Sequence, residues 1–110
     1  MSKKEKVIQP VSVNERTGVY WKVVNTVKDP ELDVGVVDLG LIYDITVDDG
    51  RVTVTMTLTS MGCPMGSEIM TLIEEVLQKQ KGITDVKIYL VWEPIWSPER
   101  MHPDIRELLL

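Results

Sequence analysis

Two alternating runs joined by Asp48-Asp49-Gly50 constrain this chain most. In Leu41 to Val47, Tyr43, Ile45 and Val47 alternate with Asp44 and Thr46. In the next run Val52, Val54, Met56 and Leu58 take one side, and Thr53, Thr55, Thr57 and Thr59 the other. A period of two means strands, because successive side chains point to opposite faces. Asp48-Asp49-Gly50 fits a tight hairpin turn, with Gly50 suited to positive φ. Apolar residues on one side only mean that one face of the sheet meets helices. The other face meets water or a partner.

The rest of the chain supplies the helices. Ser12-Val13-Asn14-Glu15 matches a capping box at the start of a helix from Val13 to Lys28. Tyr20, Val23, Val24 and Val27 give it one buried face. Asp29-Pro30 ends it, because a residue before proline is pushed out of the helical region. A second helix, Ile69 to Gln80, has the apolar stripe Ile69, Leu72, Ile73, Val76 and Leu77. Lys81-Gly82 suits its C-terminal end. A third strand runs from Asp85 to Trp92, with Val86, Ile88, Leu90 and Trp92 on one face.

The order is helix, strand, strand, helix, strand. It predicts an α+β, two-layer α/β domain with a three-stranded mixed sheet. The second helix is a crossover, so the third strand runs parallel to the second. A split β-α-β arrangement gives the sheet order 2-1-3, with both helices on one face. The tail from Glu93 to Pro103 is too rich in proline for a strand interior, and Asp104 to Leu110 suits a short terminal helix. Trp96 and Met101 either plug the open end of the core or, if exposed, offer a partner-binding surface.

The 110 residues suit one domain, residues 12–110, behind a polar leader, residues 1–11. A net charge of −5 without a basic patch argues against non-specific nucleic-acid binding. No apolar run is long enough for a membrane span, and the N-terminus lacks a signal-peptide segment. The single cysteine excludes an intramolecular disulfide. These features point to a soluble cytoplasmic protein.

That cysteine stands in Thr59-Ser60-Met61-Gly62-Cys63-Pro64-Met65-Gly66-Ser67, between the second strand and the second helix. Pro64 fits a first helical position, so Cys63 is expected near the positive end of a helix dipole. Such a place lowers a thiol pKa, and a thiolate is a nucleophile or a soft metal ligand. The alternative is a small buried hydrophobe. One cysteine cannot fill the four-ligand shell of a cluster, but two chains could share one. His102, the only histidine, reads as a solvated surface residue rather than a base or ligand. The acidic, apolar stretch of Glu31, Asp33 and Asp38 reads as a connector with solvated carboxylates.

Several motifs, taken in order, resemble a known family. They are Val27-Lys28-Asp29-Pro30-Glu31-Leu32, Val37-Asp38-Leu39-Gly40-Leu41-Ile42-Tyr43, Met56-Thr57-Leu58-Thr59 with Gly62-Cys63-Pro64, and Pro94-Ile95-Trp96-Ser97 with Met101. Together, over about residues 19 to 102, they resemble the SufT and PaaD-like proteins. That family also contains the cytosolic targeting factor of eukaryotic iron–sulfur assembly. The resemblance implies an iron–sulfur assembly-type domain and an accessory or targeting role in maturing iron–sulfur proteins, not an enzyme. It implies Cys63 as the functional cysteine and a transient or intersubunit ligand of an iron–sulfur cluster. Asp29, Glu31, Asp38, Thr59, Pro64 and Trp96 match supporting motif positions. The implied partners are assembly proteins, client apoproteins and a second copy in a homodimer. An adaptor with a structural cysteine, a small thiol enzyme, and a PaaD-like component of phenylacetate degradation are the alternatives.

Overall fold

The computed structural model describes residues 10, 12, 15–30, 32–59 and 66–109. Helix α1 spans Val19–Asn25, strands β1 and β2 span Ile42–Asp48 and Arg51–Met56, and helix α2 spans Gly66–Gln78. Strand β3, Asp85–Leu90, a 3-10 turn, Pro98–Arg100, and helix α3, Pro103–Leu109, follow. Among the described residues no helix is long and apolar enough to cross a membrane.

The hairpin forms as its sequence requires. Asp48 pairs with Arg51, leaving Asp49 and Gly50 as a two-residue turn with φ of 53° and 82°. Positive φ at both positions matches the twist of the flanking strands. Strands β1 and β2 are antiparallel, and β2 and β3 are parallel.

The sheet order is β1-β2-β3, not the expected 2-1-3. The crossover lands in the slot next to β2. The thirteen residues of α2 rise about 20 Å, close to the length of a six-residue strand. The helix therefore runs back along β2 and delivers β3 to its free edge. The tail, rather than a strand, returns to β1.

Both helices cover one face, as expected. Val52, Val54 and Met56 of β2 form one buried cluster with Trp21 and Val24 of α1 and Ile69, Ile73 and Leu77 of α2. Leu72, also expected in the α2 stripe, is 41% exposed. Thr53 and Thr55, on the opposite face, are half-buried.

Helix α1 is shorter than the expected Val13 to Lys28. Gly18, at φ 117°, stands just before it and breaks the helical path. Val13 and Asn14 of the expected capping box lie outside the described residues. The helix ends at Asn25 because Val27 N–H turns to Val24 O and Lys28 bridges to Gly35.

Strand β1 departs from strict alternation. The register shifts between Ile42, opposite Met56, and Asp44, opposite Thr55. Tyr43 is the extra residue of this bulge, so Ile42 and Tyr43 are both fully buried. Val47, at the far end of β1, is exposed.

Candidate functional site

The expected site lies between β2 and α2. Cys63 and Pro64, like Glu31, lie outside the described residues. Both ends of the stretch are fixed. Beyond β2, Thr57 N–H donates to Leu41 O at 2.8 Å, and the Thr57 side chain is buried. That corrects its expected place on the open face, because β2 ends at Met56. Leu58 packs against Gly66, the first residue of α2. A Cβ on Gly66 would come 2.6 Å from Leu58 Cδ1, so glycine permits this close approach. Thr59 is exposed, at the rim where the stretch begins.

Beneath this rim a hydrogen-bonded cluster ties the tail to β1. The Tyr43 hydroxyl donates to Pro94 O at 2.6 Å, and the Thr57 hydroxyl is its side-chain hydrogen-bond neighbour. The Arg100 guanidinium stacks over the Tyr43 ring, 5.1 Å from its centroid. Arg16 Nη1 donates to Val37 O at 3.2 Å and to Arg100 O at 2.9 Å. Burial, with Arg100 nearby, lowers the Arg16 pKa, while the Asp38 carboxylate opposes that shift.

Asp38 and Trp96 meet around the turn that precedes β1. Asp38 N–H and Val37 N–H both donate to Asn25 Oδ1, each at 3.0 Å. Asp38 O accepts from His102 N–H at 2.8 Å. The Trp96 indole N–H donates to Leu39 O at 2.9 Å, and Met101 is buried in the core cluster. The plug role of the tail is therefore correct, and Trp96 is half-buried rather than an exposed knob. Asp29 builds a separate turn, accepting Leu32 N–H on Oδ1 at 3.1 Å. His102 Nδ1 accepts Asp104 N–H at 3.1 Å at the start of α3. Among the described residues no three His, Cys, Asp or Glu side chains gather as a metal site needs.

Sequence reasoning missed Asn25, Arg16, Tyr43 and Arg100 as organisers of this region. Asn25 had a signal, since an amide at a helix end often bonds loop backbone. Arg16 and Arg100 had none, because 84 residues separate them.

Burial raises the Tyr43 pKa above the ordinary tyrosine value. Above about pH 10 the unfolded chain then releases a proton that the folded chain keeps, so Tyr43 favours folding less as pH rises through its folded pKa. Tyr43→Phe is expected to cost about 1–2 kcal/mol near neutral pH, since Pro94 O loses its donor. The gap between wild type and variant should narrow above pH 10 in urea unfolding. A gap that widens there would contradict the assigned burial effect.

Comparison with known proteins gives these motifs a context. The model of a family described as "Iron-sulfur cluster assembly protein" matches residues 21–90. The chain is 49% identical over 74 residues to the Fe-S protein maturation auxiliary factor SufT of Staphylococcus aureus (strain USA300), covering 66% of this chain and 84% of that protein. It is 43% identical over 76 residues to the Fe-S protein maturation auxiliary factor YitW of Bacillus subtilis (strain 168), covering 68% and 74%. It is also 31% identical over 103 residues to an Escherichia coli (strain K12) protein named as one component of a 1,2-phenylacetyl-CoA epoxidase, covering 93% and 59%. A crystal structure of a domain of unknown function from Bacillus anthracis superposes with a TM-score of 0.78 at 38% identity, covering 82% of this chain and 87% of that one.

Proposed function

The chain belongs to the iron–sulfur cluster assembly protein family, and from that membership we propose that it matures iron–sulfur proteins through Cys63. It acts as an accessory or targeting factor, with assembly proteins and client apoproteins as partners, in the cytoplasm and without turnover chemistry of its own. The observation that carries this reading is the framing of the Cys63 stretch. Thr57 and the Leu58–Gly66 contact hold its two ends on a strand and a helix.

A single thiolate is well suited to transfer. It takes one coordination position on iron and leaves the others to an assembly protein, a client or a second copy. The cluster is then cargo, bound and released, rather than a resident group. The match to the phenylacetate branch spans 59% of that protein and is weaker in identity, so the maturation role is preferred.

The test compares wild type with Cys63→Ser. Iron–sulfur enzyme activities in cell extracts should fall to the level of a strain lacking the protein. The purified variant should keep its unfolding free energy within about 1 kcal/mol, which separates a loss of function from a loss of fold. Anaerobic iron–sulfide reconstitution should give a visible chromophore only with Cys63 present. Full client activity in a stable Cys63→Ser protein would remove the cysteine from the mechanism.

A further inference from the structure

Of the described lysines and arginines, Arg16 and Arg100 are half-buried and the others are exposed. The two use their donors differently. Arg16 spends Nη1 on two carbonyls. Arg100 is fixed from several sides. Its N–H donates to Ser97 O at 3.0 Å, its O accepts from Arg16, and its guanidinium lies over the Tyr43 ring. Its Nε donates to Ile95 O at 3.4 Å, and its two Nη groups bond no described residue. Among the described residues no carboxylate pairs with it either. A half-buried cation without a partner is destabilising, and a ring face offsets only part of that.

Ile95 stands beside this fork and is 76% exposed. Its neighbours are tied down. Pro94 O is held by the Tyr43 hydroxyl, and the Trp96 indole by Leu39 O. The turn therefore presents one apolar side chain and one free guanidinium in fixed positions. It lies next to the start of the Cys63 stretch, because the Tyr43 hydroxyl that holds Pro94 also meets Thr57, just past the end of β2.

We propose that Arg100 and Ile95 receive the client apoprotein, the guanidinium taking an acidic side chain and Ile95 an apolar one beside it. This rests on the maturation role and names where, and by what chemistry, the client is met. The planar fork of an arginine matches a carboxylate with two parallel hydrogen bonds. A phosphate fits less well. The Asp38 carboxylate acts on Arg16, and Glu99 is exposed next to Arg100, so the site has too little positive charge for a dianion. One part-exposed ion pair would hold a small free carboxylate only weakly. Within a protein interface the same pair works alongside buried apolar area, and arginine is among the residues that dominate such contacts. A small contact of this kind suits a brief encounter, with release once the cluster has passed on.

The test is binding of an acceptor to the full, cluster-free chain, followed by fluorescence anisotropy. The acceptor is the apo form of an iron–sulfur enzyme whose activity falls in a strain lacking this protein. Wild type and Cys63→Ser should bind it equally, since docking does not use the thiol. Arg100→Met, which keeps an apolar chain on the Tyr43 ring, should bind about tenfold more weakly. Ile95→Ala should weaken binding by a similar factor, and because it removes only an exposed side chain the test does not rest on Arg100 alone. Arg100→Lys should fall between wild type and Arg100→Met. Arg100→Glu should bind more weakly than Arg100→Met, because it repels the partner's carboxylate. Raising the salt should weaken wild type and leave Arg100→Met unchanged. A urea midpoint close to wild type in Arg100→Met separates lost docking from a lost seat for the tail. Wild-type affinity in both Arg100→Met and Ile95→Ala, or equal affinities for Arg100→Met and Arg100→Glu, would overturn the proposal. So would a wild type that does not bind. Full client activity in Cys63→Ser would count against the maturation role instead, not against the docking of the acceptor.

Discussion

Gly40→Ala is expected to lower stability by about 3 kcal/mol or more. Gly40 has φ 82°, a region that costs a residue with a Cβ about 1–2 kcal/mol. The added methyl would also run into the tail, against the Arg100 carbonyl and within 2.7 Å of Arg100 Cβ. Overpacking against backbone adds about 1–3 kcal/mol. The chain can relieve the clash only by pulling residues 94–102 off the turn. Two signals should therefore move together. The urea midpoint should fall, and the Trp96 indole N–H, now bonded to Leu39 O, should exchange faster with solvent. A loss below about 1 kcal/mol with unchanged exchange would mean that the tail is not seated on Gly40.

Ile73→Ala should cost about 3–4 kcal/mol, while Leu72→Ala should cost less than about 1 kcal/mol. Ile73 is fully buried in the cluster shared by α1, α2 and β2, so truncation leaves a void with little room to collapse. Leu72 is its neighbour in sequence and 41% exposed. Calorimetry of both variants should separate them by about 8 °C or more in melting temperature, at roughly 4–8 °C per kcal/mol for a domain of this size. Equal losses would show that α2 is rotated from the face described.

This contrast shows what the sequence conveys. Periodicity identifies α2, but the five-residue stripe is wider than the seam the sheet can cover. Ile69, Ile73 and Leu77, four residues apart, fill that seam, and Leu72 falls outside it. Asp49-Gly50 was fully legible, since turn chemistry is local. The sheet order was not, because edge choice depends on where the crossover and tail come to rest. Strand alternation hid the bulge at Tyr43, whose phenol finds partners 51 residues away at Pro94 and 14 away at Thr57. The site divides in the same way. Cys63 and its Gly-Pro neighbours stand out as a motif, whereas nothing in the motifs tells that Asp38 and Trp96 serve the same turn, one bonded to Asn25 and the other to Leu39 O. Their organiser, Asn25, carries its information in one side-chain oxygen that serves two N–H groups, a relation no periodicity encodes.

The Arg16 clasp sets an order of events at the ribosome. Its guanidinium is among the first groups of the domain to emerge, yet one of its acceptors, Arg100 O, is made 84 residues later. The hairpin and α2 can form from local contacts as they leave the tunnel, but the turn at Gly40 has no seat for its neighbours until residues 94–102 emerge. Until then Trp96 is absent and Tyr43 lacks its acceptor, so the nascent chain carries a half-built core that closes only once residues 94–101 have left the tunnel.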